Sequence, residues 1–553
     1  MKKIFLYLMM VPLAFSLNSC LEDSQNTGVL TDEAKTELAN QDPDKIFKAA
    51  IQGAYYNILS AYRGQMSHNY FGQKGFDYLT SLMGNDMCMT GRFAMSLYHY
   101  MCDYWGQDYA ATSYRWGEYY FEIDKANKIL ADIDPESTNS AVLHYKAQAL
   151  ALRGYAYSQL THLYSFCYNV GVPGSNWHNG QVTNHKDDLC APIVTETLTG
   201  NQPRATLEAV HTLIKEDLKA AYDLFEKLGK IHTADPQDFD GTVVAMYLAR
   251  IYMTEHNWAE ALKYARIVKS NYPILTGMDL LQGFSDLNLP DVVFAADVNT
   301  DNTGTYASYF SQMDMFSDGY AGIGVWRVAF KPLIDRIAAN DIRLCWFATT
   351  RSAEVANNPV FGQGVVPVGF KDYAESLQAT KAAQAQWNSL NVKVWYQACK
   401  FIGGGRTNLL NGVFDEWHLG DYIYLRSEEA YFMEAEILAH QNDLGGAKAA
   451  LESIIRTRQD DYTYSKPMSK GDLLEEIIFH KRVEFWGEGM EFLDNRRLNI
   501  DIDRTDETWG KANNHFDAAK FKMEQHNTHL RYQIPRAEID NNPEISENDQ
   551  NPV

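Results

Sequence analysis

The segment from Thr242 to Val268 limits the fold more than any other, because it reads as two amphipathic helices joined by a short polar turn at His256-Asn257. Ala245, Ala249, Ala261 and Ala265 recur at helical spacing, and small side chains there let the two helices approach closely. A second unit spans about 424–458, with Ala430, Ala435 and Ala439 in its first helix. Gly446, Ala447 and Leu451 lie in its second helix, across Gln441-Asn442-Asp443. Further helices are predicted at about 114–132 and 140–168, which form a third pair, and at 204–228, which packs on the helix at 241–255. Isolated pairs cannot bury their apolar faces, so units this far apart must meet in one array.

The fold class that follows is mostly α: a tetratricopeptide-like array of helical pairs with a large irregular, short-strand insertion. Residues 43–275 form the first helical part, beginning with Ile46, Ala49, Ala50, Gly53, Ala54 and Asn57 on one face and Pro43 near the first turn. Residues 276–420 form the insertion, where glycines and aromatics alternate with β-like runs at Asp291–Ala296, Gly322–Val328 and Val392–Gln397. Long irregular stretches in a compact protein are usually functional. Residues 421–553 complete the array and end in an irregular segment with a short extended piece, Leu530 to Pro535.

With 46% hydrophobic residues the chain buries a large core, and its formal net charge of −22 argues against nucleic acid and broad contact with anionic lipid. Its 34 Tyr and 11 Trp suit either helix packing or the stacking of flat apolar faces such as sugar rings. No two cysteines have Cys-x-x-Cys spacing, so no zinc or redox motif is expected, and most thiols should be buried. No catalytic residues, metal or cofactor are predicted: Gly-x-Ser-x-Gly, His-Glu-x-x-His and a phosphate-binding loop are all missing. Gly403-Gly-Gly-Arg406 lacks the following lysine and reads as a turn. The carboxylates of Asp235-Pro-Gln-Asp-Phe-Asp-Gly241 suit either calcium or a cap on the following helix.

The first residues carry a different message. Lys2 and Lys3 precede an apolar run from Ile4 to Phe15, and Leu17-Asn18-Ser19-Cys20 follows, the arrangement of a lipoprotein signal peptide over 1–19 with Cys20 as the lipidated residue. The run is shorter than the roughly 20 apolar residues that span a bilayer. Several acyl chains on Cys20 would exceed the two signals that stable anchoring needs. Polar residues 20–42 suit a flexible tether.

Four segments together resemble the SusD/RagB family of surface nutrient-binding lipoproteins. They are Ala147 to Tyr164, an Arg153-centred helix ending Leu-x-x-Leu-Tyr; Tyr424 to Glu436, with Leu-Arg before an acidic helix; His480 to Arg497, with Arg-x-Glu, Glu-Gly and Asp-x-x-Arg; and Tyr532 to Pro543 with Glu547-Asn548. Asn340-Asp341-Ile342-Arg343 is similar to a further Asp-x-Arg element, and Leu21-Glu22-Asp23 resembles the surface-export signal of Bacteroidota lipoproteins. Charged motif residues Arg153, Arg426, Glu434, Glu436, Arg482, Glu484, Asp494 and Arg497 sit among apolar positions and are expected to pair between helices.

The resemblance implies an outer-membrane, lipid-anchored protein facing the cell exterior. It would bind a glycan or oligosaccharide and act as a lid for a SusC-like TonB-dependent β-barrel transporter. An oligopeptide-binding lid and a helical-repeat scaffold for envelope assembly stay open. Ligand contacts are expected from Asn85, Asp86 and Arg92 in one loop, and from Tyr309, Phe316, Tyr320 and Trp326 in the insertion. Cys20→Ala is expected to leave ligand binding in vitro intact and to release the protein from the membrane; normal membrane retention of that variant would overturn the anchor.

Overall fold

The computed structural model describes residues 37–552 apart from positions 40, 69, 104, 305, 324 and 339 and segments 60–67, 90–95, 172–181, 198–199, 349–395, 406–416, 506–513 and 525–529. The segment expected as a signal peptide, Cys20, most of the expected tether and Arg92 therefore lie outside the described residues.

The principal helices are α1 (Ala49–Leu59), α2 (Gly72–Ser81), α3 (Ala110–Ala131), α4 (Ser140–Tyr164), α5 (Leu207–Lys227), α6 (Gly241–Thr254), α7 (Trp258–Asn271), α8 (Glu428–His440), α9 (Leu444–Ile455), α10 (Lys470–Glu484) and α11 (Met490–Leu498). From α3 to α9 each packs on the next, and α8 lies against α7 although the whole insertion separates them in sequence. The predicted meeting of distant pairs is thus the fold itself, a tetratricopeptide-like array. Among the described residues, no helix is long and apolar enough to cross a membrane.

Local chemistry starts these helices where the sequence suggests. The side chains of Asn139, Thr206, Asp240, Asn257, Asp443 and Ser469 accept hydrogen bonds from the first backbone N–H groups of α4, α5, α6, α7, α9 and α10. Each such cap is worth about 1 kcal/mol. Asp240 thereby gives one carboxylate of the Asp235–Gly241 run a structural task. The two helical pairs turn alike: His256 and Asn442 have left-handed φ of 58° and 63°, each followed directly by the capping residue. Ala245, Ala249, Ala261, Ala265, Ala430, Ala435, Ala439 and Ala447 are completely buried, so backbones meet where the small residues predicted it.

The strands in and around the insertion are short: β1 (Met87–Met89) and β6 (Tyr422–Arg426) from the helical parts, and β2 (Val292–Ala296), β3 (Arg327–Ala329), β4 (Phe347–Ala348) and β5 (Gln397–Ala398) from the insertion itself. β2 pairs antiparallel with β6, while β1, β3, β5 and β4 form a small antiparallel sheet in that order. The expected strand at Asp291–Ala296 is β2. The run from Gly322 to Val328 instead starts in a helical turn, Tyr320–Ile323, and only its end is strand. The described part of Val392–Gln397 contributes Gln397 alone to a strand, and Gly403-Gly404 is a turn. A separate apolar cluster, with Trp346, Phe401 and Phe310 at its centre, packs beneath the insertion.

The motif charges pair between elements. Arg153 of α4 donates to both oxygens of Asp217 on α5 at 2.7 and 2.8 Å. Glu434 of α8 receives Arg266 and Lys269 of α7 at 2.7 and 2.6 Å, and Glu436 receives Arg497 of α11 at 2.8 Å. Asp494 lies between Arg497 and Lys481 at 2.7 and 2.9 Å.

Arg482 pairs with Asp86, while Arg426 and Glu484 enter one buried network joining the array to the insertion. Arg458, after α9, reaches Glu484 at 2.7 Å and Glu428 at 3.1 Å. Arg426, ending β6, meets Glu488 at 2.9 Å, Glu428 at 3.3 Å, Glu484 at 3.5 Å and Asp291 at 3.6 Å. Lys400 binds Glu488 and the Glu484 carbonyl, and Arg343 approaches Glu484 at 3.6 Å while bonding Asp341 at 2.7 Å. Burial alone would raise the Glu484 and Glu488 carboxyls. Arg458 and Arg426 nevertheless hold Glu484 well below the usual range, and Arg426 and Lys400 bring Glu488 to about 2. Asp291 goes the other way: burial, then neighbouring Glu428, push its carboxyl well up against the opposing pull of Arg426.

Glu488 owes its aim to two glycines. Gly487 and Gly489 hold φ of 84° and 82°, and a Cβ on Gly487 would lie 2.7 Å from the Phe401 ring. The Gly-Glu-Gly run therefore turns left-handed twice in order to point one carboxylate inward.

Two outcomes follow for stability. Arg458→Met should cost about 3–5 kcal/mol in denaturant melts, because it leaves Glu484 and Glu428 buried without their main cation. A second buried pair, Glu118 and Glu122 of α3, shares the Asn57 amide of α1 at 3.0 and 2.8 Å. Burial pushes Glu122 up to about 8. Between about pH 4.3, the unfolded value, and pH 8 the folded state holds a proton that the unfolded chain releases, so this group's contribution to stability falls as pH rises through that window. Glu122→Gln should flatten the decline and raise stability at pH 8 by about 1–3 kcal/mol; an unchanged pH profile of the melting temperature would contradict it.

Candidate functional site

Four of the seven predicted ligand residues belong to the interior instead. Asn85 and Asp86 are buried: their N–H groups donate to Glu491 at 2.6 and 3.0 Å, and the Asp86 carboxylate pairs with Arg482 while its carbonyl accepts from Trp486 Nε1 at 2.7 Å. A carboxylate so engaged anchors the loop after α2 and offers no free acceptor to a ligand. Tyr309 is 1% exposed, donates its hydroxyl to the Gly487 carbonyl at 2.9 Å and lies beneath the Lys74 ammonium, 4.7 Å from the ring centre. Phe316 is packed in the apolar cluster below the insertion. These corrections share a reason. Aromatics next to turns look exposed in sequence, but here the insertion needs them as its core.

Tyr320 and Trp326 are different, because both remain half-buried at the surface. Tyr320 stands between Tyr306 and His68, with ring centres 5.8 and 5.4 Å away. Its hydroxyl shares a hydrogen bond with His68 Nδ1 at 2.8 Å. Tyr306, with 48% of its surface exposed, extends the cluster outward. Tyr306, Tyr320 and His68, inclined at 55° and 78° to one another, form an apolar patch edged by an imidazole and two phenol hydroxyls, and half-buried Trp326 backs onto the insertion core nearby in sequence. Burial, then the neighbouring Tyr306, raise the Tyr320 hydroxyl above its ordinary value, so it is protonated at neutral pH and able to donate.

A rigid support lies directly below. The short helix Tyr309–Met313 brings Ser311 and Gln312 under the ledge. The Tyr320 N–H donates to Ser311 Oγ at 3.2 Å, and Gln312 Nε2 donates to the His68 carbonyl at 2.8 Å. Arg327, almost fully buried on β3, donates to Gln312 Oε1 at 2.7 Å, to Tyr78 Oη at 3.0 Å and to the Val325 carbonyl at 2.8 Å. Tyr78 in turn bonds Ser96 at 2.7 Å. The turn before Tyr320 is tight enough that a Cβ on Gly322 would fall 1.7 Å from the Ser317 carbonyl oxygen. One planar guanidinium thus ties together α2, the short helix and β3, the strand that follows Trp326.

His68 and Tyr306 enter this group without having been predicted as ligand residues. The signal for Tyr306 was its place in the same aromatic run as Tyr309; for His68 it was only an aromatic-rich stretch, His68-Asn-Tyr-Phe71, before α2. The arrangement is suited to stacking and hydrogen bonding. Among the described residues no group of His, Cys, Asp and Glu is arranged to hold a metal ion.

Comparison with known proteins gives a consistent picture. A family model described as "Starch-binding associating with outer membrane" matches residues 43–253, and the SusD family model matches residues 294–553. No curated protein matches the chain. Among solved structures, a SusD-like carbohydrate binding protein from Bacteroides vulgatus ATCC 8482 is 19% identical with a TM-score of 0.67, covering 92% of this chain and 98% of its own. A SusD superfamily protein from Bacteroides thetaiotaomicron VPI-5482 gives 19% and 0.67 over 92% and 99%. Another from Parabacteroides distasonis ATCC 8503 gives 16% and 0.63 over 91% and 98%. The two family models follow one another from the first helix to the last residue, on the fold that these structures share, and the chain belongs to the SusD/RagB family.

Proposed function

We propose that this protein binds a glycan on the ledge formed by Tyr306, Tyr320 and Trp326 and covers the mouth of a SusC-like TonB-dependent β-barrel transporter, to which it is held by lipid on Cys20 at the cell surface. The observation that carries the ligand reading is the exposed ring cluster on a braced support, since a sugar ring needs a flat apolar face and a few fixed polar groups at its edge. Three further facts support it. The family model covering the first helical part is described by starch binding and association with the outer membrane. One structural neighbour is described as a carbohydrate binding protein. The ledge also lacks the paired carboxylates and activated nucleophiles that catalysis would require among its described residues, so binding is the chemistry it fits.

The transporter supplies transport in this reading, and the ledge supplies affinity and retention. Isothermal titration against a glycan panel should show binding that Trp326→Ala or Tyr320→Ala weakens by about tenfold or more, the worth of one lost stacking contact of about 1.4 kcal/mol. Arg327→Met should weaken it too, by loosening Gln312 and through it His68. Binding to oligopeptides and to no glycan would replace the ligand class. Pull-down from membranes should bring a large β-barrel transporter with the protein; its absence, with capture of envelope-assembly proteins instead, would favour a scaffold.

A further inference from the structure

Away from the ledge, the outer face of α1 borders an open groove of about 450 Å3 whose opposite wall is the 235–239 loop and the 296–302 loop. The groove shares no lining residue with the ledge. Its floor is aromatic and fixed: Tyr55, Phe294 and Tyr424 pack in series, with ring centres 6.4 and 5.2 Å apart, and the Phe239 N–H donates to Tyr55 Oη at 3.1 Å. Tyr56 rises beside it with 50% of its surface exposed, the largest exposed fraction of any large hydrophobic side chain among the described residues.

The two walls carry opposite hydrogen-bonding character. Lys48, just before α1, and Gln52, one helical turn later on it, present donors. Asp235, Asp238 and Asp297 on the loops present acceptors, and among the described residues no salt bridge occupies any of the three. This contrasts with the interior, where carboxylates meet arginines. The loop wall is also set in place: Ala295 N–H donates to the Pro236 carbonyl at 2.9 Å, Asp297 N–H to Gln237 Oε1 at 3.3 Å, and Asn302 Nδ2 to the Asp297 carbonyl at 2.9 Å. Three carboxylates against one ammonium disfavour an anionic ligand. A neutral ring whose hydroxyls each donate and accept satisfies both walls, and its flat face suits Tyr56.

We infer that this groove is a second saccharide-binding site, taking a neutral pyranose ring against Tyr56 with its hydroxyls bridging Lys48 and Gln52 to Asp235, Asp238 and Asp297. The inference goes beyond the ledge reading and does not depend on it. A protein with two separate sites would hold a long glycan at two points, so that release from one leaves it tethered at the other.

The test is saturation-transfer NMR on the purified full chain carrying Tyr320→Ala and Trp326→Ala, with maltotriose and xylotriose as probes. Transfer to at least one trisaccharide should persist in that background. Adding Tyr56→Ala should reduce affinity about tenfold, and adding Asp238→Asn with Asp297→Asn should abolish transfer. Tyr56 is half-exposed, so its variant should keep the parent's melting temperature and report on binding alone. No transfer from either trisaccharide, or transfer that Tyr56→Ala leaves unchanged, would overturn the second site. Displacement of the sugar by a lower concentration of trilysine would overturn it in favour of a cation site. Loss of all transfer in the ledge background, with full transfer in Tyr56→Ala alone, would leave the ledge reading standing and remove this one.

Discussion

Everything in this molecule leans on a buried cluster of charge, in which Arg426 and Arg458 hold Glu428, Glu484 and Glu488. The helical array could close without it, since the alanine faces of α6, α7 and α8 already pack. The insertion could not be placed. Its segments contribute Lys400, Arg343 and Asp291, and each enters water-free surroundings only because a partner from the array waits there. Such clusters contribute little net stability, because desolvation offsets attraction, but a shift of a few ångströms would strand several charges at once. Geometry is therefore what the cluster enforces.

Much of this was legible in the sequence. Helical spacing, small-residue positions and caps located α3 to α9 to within a few residues, since those signals are local and each has a direct physical cause. Arg153, Glu434, Glu436 and Arg497 were expected to pair across helices because a charge on an apolar face has few other options. Their partners were harder to read. Asp217, Arg266 and Lys269 lie on different helices, and nothing in their own neighbourhood announces the contact. Lys400 and Arg327 were missed as buried cations, although each interrupts an apolar run, Ala398-Cys-Lys400-Phe-Ile402 and Trp326-Arg327-Val328.

The site was less legible, and the reason is topological. An aromatic residue beside a turn can point out to solvent or inward to fill the insertion's own core, and sequence alone does not separate these. Tyr309 and Phe316 went inward because the segment around them must cap a cluster containing Phe310, Trp346 and Phe401. Tyr320 and Trp326 stayed half-buried at the surface, around a tight turn that brings Gly322 against the Ser317 carbonyl. His68 joins them from a part of the chain about 250 positions earlier, and only the folded chain shows that pairing.

The buried aromatics support the proposed binding surface from below. Tyr309 links the Gly487 carbonyl, beside Glu488, to the short helix whose Gln312 supports His68. Arg327 links that same helix to the strand following Trp326. The ledge is thus connected to the charge cluster by a few hydrogen bonds through packed side chains. A surface supported this way loses little conformational entropy when it captures a ligand, which is where a shallow, open site gains most of its affinity. It follows that the insertion can present unusual surface chemistry at Tyr306, Tyr320 and Trp326 without endangering the fold, because the residues that hold it in place lie one layer down.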